Sequence, residues 1–483
     1  MEDRPNILFA LADDASHFGV YGHEFVSTPH IDRVAQEGVL FENAFTSNPK
    51  CAPSRASILT GRWTWQTEEA CNHYCYFPNR FSLLPDLLEQ SGYFCGYTGK
   101  GWAPGDYKQS GLRRNPAGNE YNDCTLTPPG NSRISDCDYT GNFARFLGQR
   151  PQRTPFCFWY GCREPHRPYS IGEGIRAGKR MDAIKTVPAY WPDCEAVRSD
   201  MLDYANEIEW FDMQLGQMLR MLAEINELDN TLVLVTSDNG CPFPRVKGQM
   251  YEQDFHLPMV GMWKAKRIKP GRRVSDIISF TDIAPTFLDA AGRDRHPQMS
   301  GKSFLDAFLT GKEGQIDPDR NATYFGREKH DLGRENDLGY PVRCIRNHQY
   351  LYIWNLAPDR WPAGNPETGF TNCDSSPTKD KILEFMELGE PYYYTLAFGK
   401  RPRAELYDIR TDPECLENLV GQTGYADICA VLAKQLEAFL IQTGDPHILV
   451  SPDYFDNMPL KSEEAADYSW KAYLEGRWQK QPY

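Results

Sequence analysis

No apolar run approaches the roughly 18–20 residues that a membrane-spanning helix requires, so the sequence offers nothing that crosses a bilayer. Positive charge is in deficit. The 52 Lys and Arg are outnumbered by 66 Asp and Glu, leaving a net charge of −14 at pH 7. A nucleic-acid partner needs clustered Lys and Arg, and this balance argues against one. A small anionic substrate stays compatible, because one site can focus positive charge inside an acidic protein. Paired CxxC clusters are missing too, which removes the usual signature of a cysteine zinc site. The 14 cysteines are scattered. Those inside apolar runs, Cys95 and Cys157, read as buried free thiols, and the even count permits disulfides without establishing any. There is no internal repeat and no long low-complexity tract, which excludes a solenoid. Met1-Glu2-Asp3-Arg4-Pro5 leads straight into strand-like sequence without a signal-peptide pattern. The expectation is a cytoplasmic protein, or a periplasmic, secreted or lysosomal one whose leader was removed.

The 483 residues present exceed the ~250–300 at which one core stops growing, which predicts a large domain and a smaller one. Hydrophobic residues at 41% and charged residues at 24% suit a soluble globular chain. Aromatics at 13% fill cores and also suit sugar-binding surfaces. Apolar runs alternate with helical patterns, predicting an α/β fold whose mostly parallel central sheet is flanked by helices. The strands are 6–12, 94–98, 156–160 and 231–236, with helices at 31–37, 83–90 and 201–225 between them. After about Pro318 the pattern changes. Strand material at 340–356 and 405–409 and a helix at 427–443 predict a smaller C-terminal α+β domain with an antiparallel sheet. The division expected is 1–335, catalytic, and 336–483.

The strand ends carry the information. The first ends in Asp13-Asp14, the second in Gly99-Lys100, the third runs into Glu164-Pro165-His166, and the fourth ends in Asp238-Asn239. Open α/β sheets bind ligands outside the carboxyl ends of their strands, so these groups converge on one edge. Asp13, Asp14, Asp238 and Asn239 offer only oxygen donors, which selects a hard cation, Ca²⁺ or Mg²⁺, over zinc. In Cys51-Ala52-Pro53-Ser54-Arg55 the proline suits a first helical turn. Cys51 then lies at a helix N-terminus, where free N–H groups attract anions, and Arg55 falls four residues on, along the same face.

Cys51-x-Pro53-Ser54-Arg55, followed by Leu59-Thr60-Gly61, resembles the signature of the type I sulfatases, a family on the alkaline-phosphatase-like fold. The resemblance runs along nearly the whole chain, through Thr28-Pro29-His30, Gly99-Lys100, Pro165-His166, Ser237-Asp238-Asn239-Gly240 and Asp282-Ile283-Ala284-Pro285. It implies that Cys51 is converted to formylglycine by a formylglycine-generating or sulfatase-maturing enzyme. It also implies Ca²⁺, with residue 51 as a further ligand. Lys100 and Lys247 are implied to hold sulfate oxygens beside Arg55, and His166 to act as general acid. One position departs: where the family pattern has a His two residues after this Lys, the chain has Trp102. The base expected to assist sulfate release is thereby in doubt, with His73 and His256 as substitutes.

Within the family, Ser237 to Pro244, Pro341 to Arg346 and Gly444-Asp445-Pro446 resemble the heparan N-sulfatases. That implies N-sulfoglucosamine in a glycosaminoglycan fragment as substrate. The candidate substrate contacts are Glu164, Trp102, Arg343 and Arg346. Three other readings stay open: an O-sulfatase on another sulfated glycan, a phosphodiesterase or phosphonate monoester hydrolase of the same superfamily, and an inactive sugar-binding homologue.

Overall fold

The computed structural model describes residues 4–130, 132–266, 269–460 and 466–478. The central sheet contains, in chain order, β1 (Asn6–Ala12), β2 (Val39–Phe45), β3 (Phe94–Gly99), β4 (Asn119–Glu120), β5 (Phe156–Gly161), β6 (Thr231–Ser237), β7 (His256–Met262) and β8 (Arg272–Ser279). Their spatial order is β8-β2-β7-β6-β1-β5-β3-β4. Strand β7 runs antiparallel to both neighbours, and every other pairing is parallel.

Every residue of β1 is buried, and its alternation explains the unbroken apolar run. Leu8, Ala10 and Ala12 face one core, which includes Met201, Ile208, Phe211 and Leu215 of the 30-residue helix Glu195–Glu224. Ile7, Phe9 and Leu11 face the other core, with Ala52, Ala56 and Leu59 of the helix α1 (Cys51–Thr60). A strand covered by helices on both sides needs apolar residues at every position. Because β6, β1, β5 and β3 are adjacent and parallel, their carboxyl ends open on the same edge of the sheet.

A second, antiparallel sheet holds β9 (Ala322–Arg327), β10 (Val342–Asn347), β11 (Tyr350–Asn355) and β12 (Ala404–Asp408), in that spatial order. The 340–356 strand material is thus a hairpin turning at His348-Gln349. The sheet begins at Ala322, so it draws on residues either side of 335. The helix Ala426–Gln442 covers it with Leu432, Leu436 and Leu440, one residue per turn, against Ile345, Tyr352 and Leu406. All 14 cysteines are free, and Cys95 and Cys157 lie buried in register on β3 and β5. No described helix is long and apolar enough to cross a membrane.

Candidate active site

Helix α1 starts at Cys51, and all ten of its residues are buried. Its polar residues are satisfied internally: Thr46 Oγ1 donates to Ser54 Oγ at 2.9 Å, Ser47 Oγ to Ser57 Oγ at 2.6 Å, and Thr60 Oγ1 to the Ala56 carbonyl at 2.7 Å. This is how the hydroxyls of so polar a helix are accommodated in the core. Its first residue points at the strand ends, with Cys51 Sγ 3.8 Å from Asp14 Oδ1.

Asp13, Asp14 and Asp238 each offer an oxygen within 4.8 Å of the others, all three side chains being buried. The turn after β1 forces Asp14 into a left-handed conformation (φ 75°), backbone strain of the kind found at functional sites. There the Asp14 N–H donates to Asp238 Oδ1 at 3.1 Å. Asn239 Nδ2 donates to Asp14 Oδ1 at 2.7 Å. Two oxygens at the centre, Asp13 Oδ1 and Asn239 Oδ1, are buried without a hydrogen-bond partner. Burial, reinforced by the charge of Asp13, pushes Asp238 up to about 7 against the pull of Arg55 and Lys100. Burial also opposes ionisation of Asp13, but Lys100, Arg55, His166 and Lys247 outweigh it and hold that carboxyl well below the ordinary range. Crowded carboxylates with orphaned oxygens and no nitrogen or sulfur donor but Cys51 and His166 are what a hard divalent cation satisfies.

Cations ring this centre. Arg55 Nε donates to Asp238 Oδ2 at 2.7 Å, and its Nη1 to the carbonyls of Lys100 and Gly101 at 2.6 and 2.9 Å. Lys100 Nζ contacts Asp13 Oδ2 at 2.5 Å, and Lys247 Nζ contacts Asp14 Oδ2 at 2.6 Å. Burial works against both ammonium charges, yet the facing aspartates hold the two lysines above their ordinary value. Gly99 (φ 74°) makes the turn that delivers Lys100; a Cβ there would lie 2.1 Å from the Gly161 carbonyl. His166 Nδ1 donates to the Arg167 carbonyl at 2.5 Å, and its Nε2 lies 3.9 Å from Asp14 Oδ2.

Two cavities meet at His166. The larger, about 590 Å³, is lined by Asp13, Lys100, Trp102, Arg163, Glu164 and His166, among others. The smaller, about 220 Å³, is lined by Lys50, His73, His166, Lys247, Asp331 and Asp374, among others. Lys50, Asp331 and Asp374 were not anticipated from the sequence. Lys50 Nζ and His73 Nδ1 both bond Asp331, at 2.7 and 2.8 Å, and Asp374 Oδ2 lies 3.3 Å from Lys247 Nζ. Only the adjacency of Lys50 to Cys51 could have signalled this cluster, since its acids lie some 280 and 320 residues on.

The candidate substrate residues divide. Trp102 lines the larger cavity and is buried, donating from Nε1 to the Ala52 carbonyl at 3.0 Å, so it braces the first turn of α1. Glu164 lies in the same wall, accepting from Ser135 N and Tyr139 Oη at 2.7 Å each. Arg343 and Arg346, named as candidate substrate contacts, line neither cavity and instead form ion pairs in the interior. Arg343 is wholly buried between Asp445 and Glu328, both at 2.6 Å, and Arg346 Nη2 pairs with Glu252 at 2.7 Å. His256 is also elsewhere, held by Glu252 and the Glu42 carbonyl. His73 is at the site, its imidazole pushed down to about 4 by burial against the pull of Asp331.

Residues 5–293 match the family model described as Sulfatase, and residues 246–356 match that described as N-sulphoglucosamine sulphohydrolase, C-terminal. An ulvan-active sulfatase of Formosa agariphila is 29% identical over 92% of this chain and 82% of its own. The human N-sulphoglucosamine sulphohydrolase is 28% identical over 93% of this chain and 92% of its own. A protein solved in complex with its substrate D-glucosamine-2-N,6-O-disulfate superposes with a TM-score of 0.64 at 22% identity, covering 95% of this chain and all of that one. The Sulfatase match spans more than half of the chain and takes in the four strand ends that meet at the site, so the chain belongs to the sulfatase family and is a hydrolase of sulfate esters or sulfamides.

Proposed function

We propose that this sulfatase acts on sulfated glycans and removes the sulfate of N-sulfoglucosamine at a non-reducing end. The reading includes Cys51 matured to formylglycine by a dedicated maturing enzyme, and a Ca²⁺ ion held by Asp13, Asp14, Asp238, Asn239 and residue 51. The match of residues 246–356 to the N-sulphoglucosamine sulphohydrolase C-terminal model carries the substrate assignment, because the Sulfatase match is indifferent to which sulfate is cleaved.

The orphaned oxygens of Asp13 and Asn239 fit the cation, and Cys51 beside them fits a residue whose modified side chain joins its ligands. Formylglycine supplies an oxygen nucleophile, and the cation supplies positive charge beside it. The chain's own groups do the rest. Arg55, Lys100 and Lys247 offset negative charge on the sulfuryl oxygens, each fixed by a buried aspartate so that no reorganisation is needed. His166 donates through Nδ1 to the Arg167 carbonyl, and in its imidazolium form Nε2 carries the second proton, which it passes to the departing nitrogen or oxygen. An unmodified Cys51 is a poor nucleophile here, since burial and the nearby Asp13 push its thiol well above the ordinary value.

The test is sulfate release from three compounds: N-sulfoglucosamine, 6-O-sulfated N-acetylglucosamine and a sulfated ulvan oligosaccharide, with peptide mass spectrometry of residue 51. Preference for the first, with an aldehyde at position 51, is expected. The ulvan-active relatives favour a second reading as an O-sulfatase, and activity confined to the other two compounds would establish it instead.

A further inference from the structure

A third cavity, about 320 Å³, lies where the edge of the central sheet, the start of β9 and the helix Ala426–Gln442 meet. It shares no lining residue with either cavity at His166. Trp63 forms part of its wall. Helix α1 has ten residues, about 15 Å at 1.5 Å per residue, so Trp63 stands just beyond the far end of the helix that begins at Cys51.

Its chemistry is two-sided. One wall is aromatic: Trp63 lies parallel to the buried Trp65 (5.8 Å between centroids, 8° between planes), and Tyr324 stands edge-on to it at 6.2 Å. The opposite rim is polar, with Asp319 and Asn321 exposed. The cations of the lining are matched: Arg320 pairs with Asp282 at 2.7 Å, and Lys302 with Asp317 at 2.6 Å. An anion would want a surplus of cations here, and there is none.

We propose that this cavity is a glycan-docking site, remote from the catalytic centre, which takes an uncharged sugar unit of a longer chain. An aromatic face covers the C–H face of a pyranose while rim oxygens and nitrogens bond its hydroxyls. The stacking of Trp63 on Trp65 fixes the platform before the sugar arrives, which lowers the ordering cost of binding. The volume falls at the low end of the ~300–1,000 Å³ usual for ligand pockets, enough for one or two rings. The proposal does not depend on which sulfate the catalytic cleft removes.

The experiment measures binding, not turnover. The full chain carrying Cys51→Ala is titrated by NMR with two unsulfated probes, chitobiose and a desulfated ulvan oligosaccharide. At least one probe is expected to bind, to weaken about tenfold or more with Trp63→Ala, and to bind unchanged when His166→Ala is added. Because Trp63 also packs on Trp65 and Phe439, the rim variants Asn321→Ala and Asp319→Asn provide a second route, each expected to weaken binding severalfold. Binding indifferent to all three variants, binding lost with His166→Ala, or no binding of either probe at millimolar concentration would overturn the proposal.

Discussion

Arg55 Nε donates to Asp238 Oδ2 at 2.7 Å, and neither side chain has any exposed surface. The contact ties α1 to the end of β6 across 183 residues of sequence. It fixes the position of Cys51 relative to the carboxylates while leaving the guanidinium beside the reacting group.

Removing one member of a buried pair strands the other, which costs about 3–5 kcal/mol. Arg55→Ala is therefore expected to lower unfolding stability by about that amount in a urea titration and to abolish sulfate release. A stability loss below about 1 kcal/mol would mean that Asp238 is relieved by something other than Arg55.

Chelation should lower the melting temperature. Crowded carboxylates repel one another, and a ligand at a hundred times its Kd stabilises by about 2.7 kcal/mol. Calorimetry with a chelator, then with added Ca²⁺ or Mg²⁺, is expected to show a fall in Tm and a fuller recovery with Ca²⁺. The difference should vanish in Asp14→Ala. Identical melting with and without chelator would remove the cation from the site.

Trp102 braces the first turn of α1 through the Ala52 carbonyl. Trp102→Ala opens a large cavity and is expected to cost about 3–5 kcal/mol. Trp102→Phe keeps most of the packing and loses only the hydrogen bond. For that variant kcat should fall more than KM rises, because the loosened turn begins with residue 51, the proposed nucleophile. An unchanged kcat would show that the brace is dispensable.

Asp212 supplies a pH test away from the site. Its carboxylate accepts the backbone N–H of Ile31 at 2.7 Å and of His30 at 3.1 Å, yet burial pushes it up to about 7 from an ordinary 3.8. Between about pH 4 and 7 the folded chain then holds a proton that the unfolded chain has released, so this group's contribution to stability declines as pH rises through that window. Asp212→Asn, which can still accept these N–H groups, should flatten the decline. Equal slopes for wild type and variant, by urea titration at pH 5 and pH 8, would count against it.

The sequence by itself determined the central strands, the strand ends and the start of α1, because each rests on local information. An unbroken apolar run marks a strand buried on both faces, as at Asn6–Ala12, and Pro53 marks a helical first turn. It also carried the candidate metal residues and Lys100, since four adjacent parallel strands must discharge their ends on one edge, and Arg55 through its helical spacing from Cys51; Lys247 came only from the family resemblance. What only the tertiary structure decided was which polar residues meet across long separations. Arg343 and Arg346 lie three residues apart in a strand, and nothing local says that Asp445, 102 residues away, and Glu252, 94 residues away, neutralise them in the interior. The Lys50–Asp331–His73 cluster and the aromatic cavity at Trp63 were equally out of reach. Each is assembled by packing between segments that share no pattern, and the free energy that joins them comes from burial and charge pairing after the chain has folded.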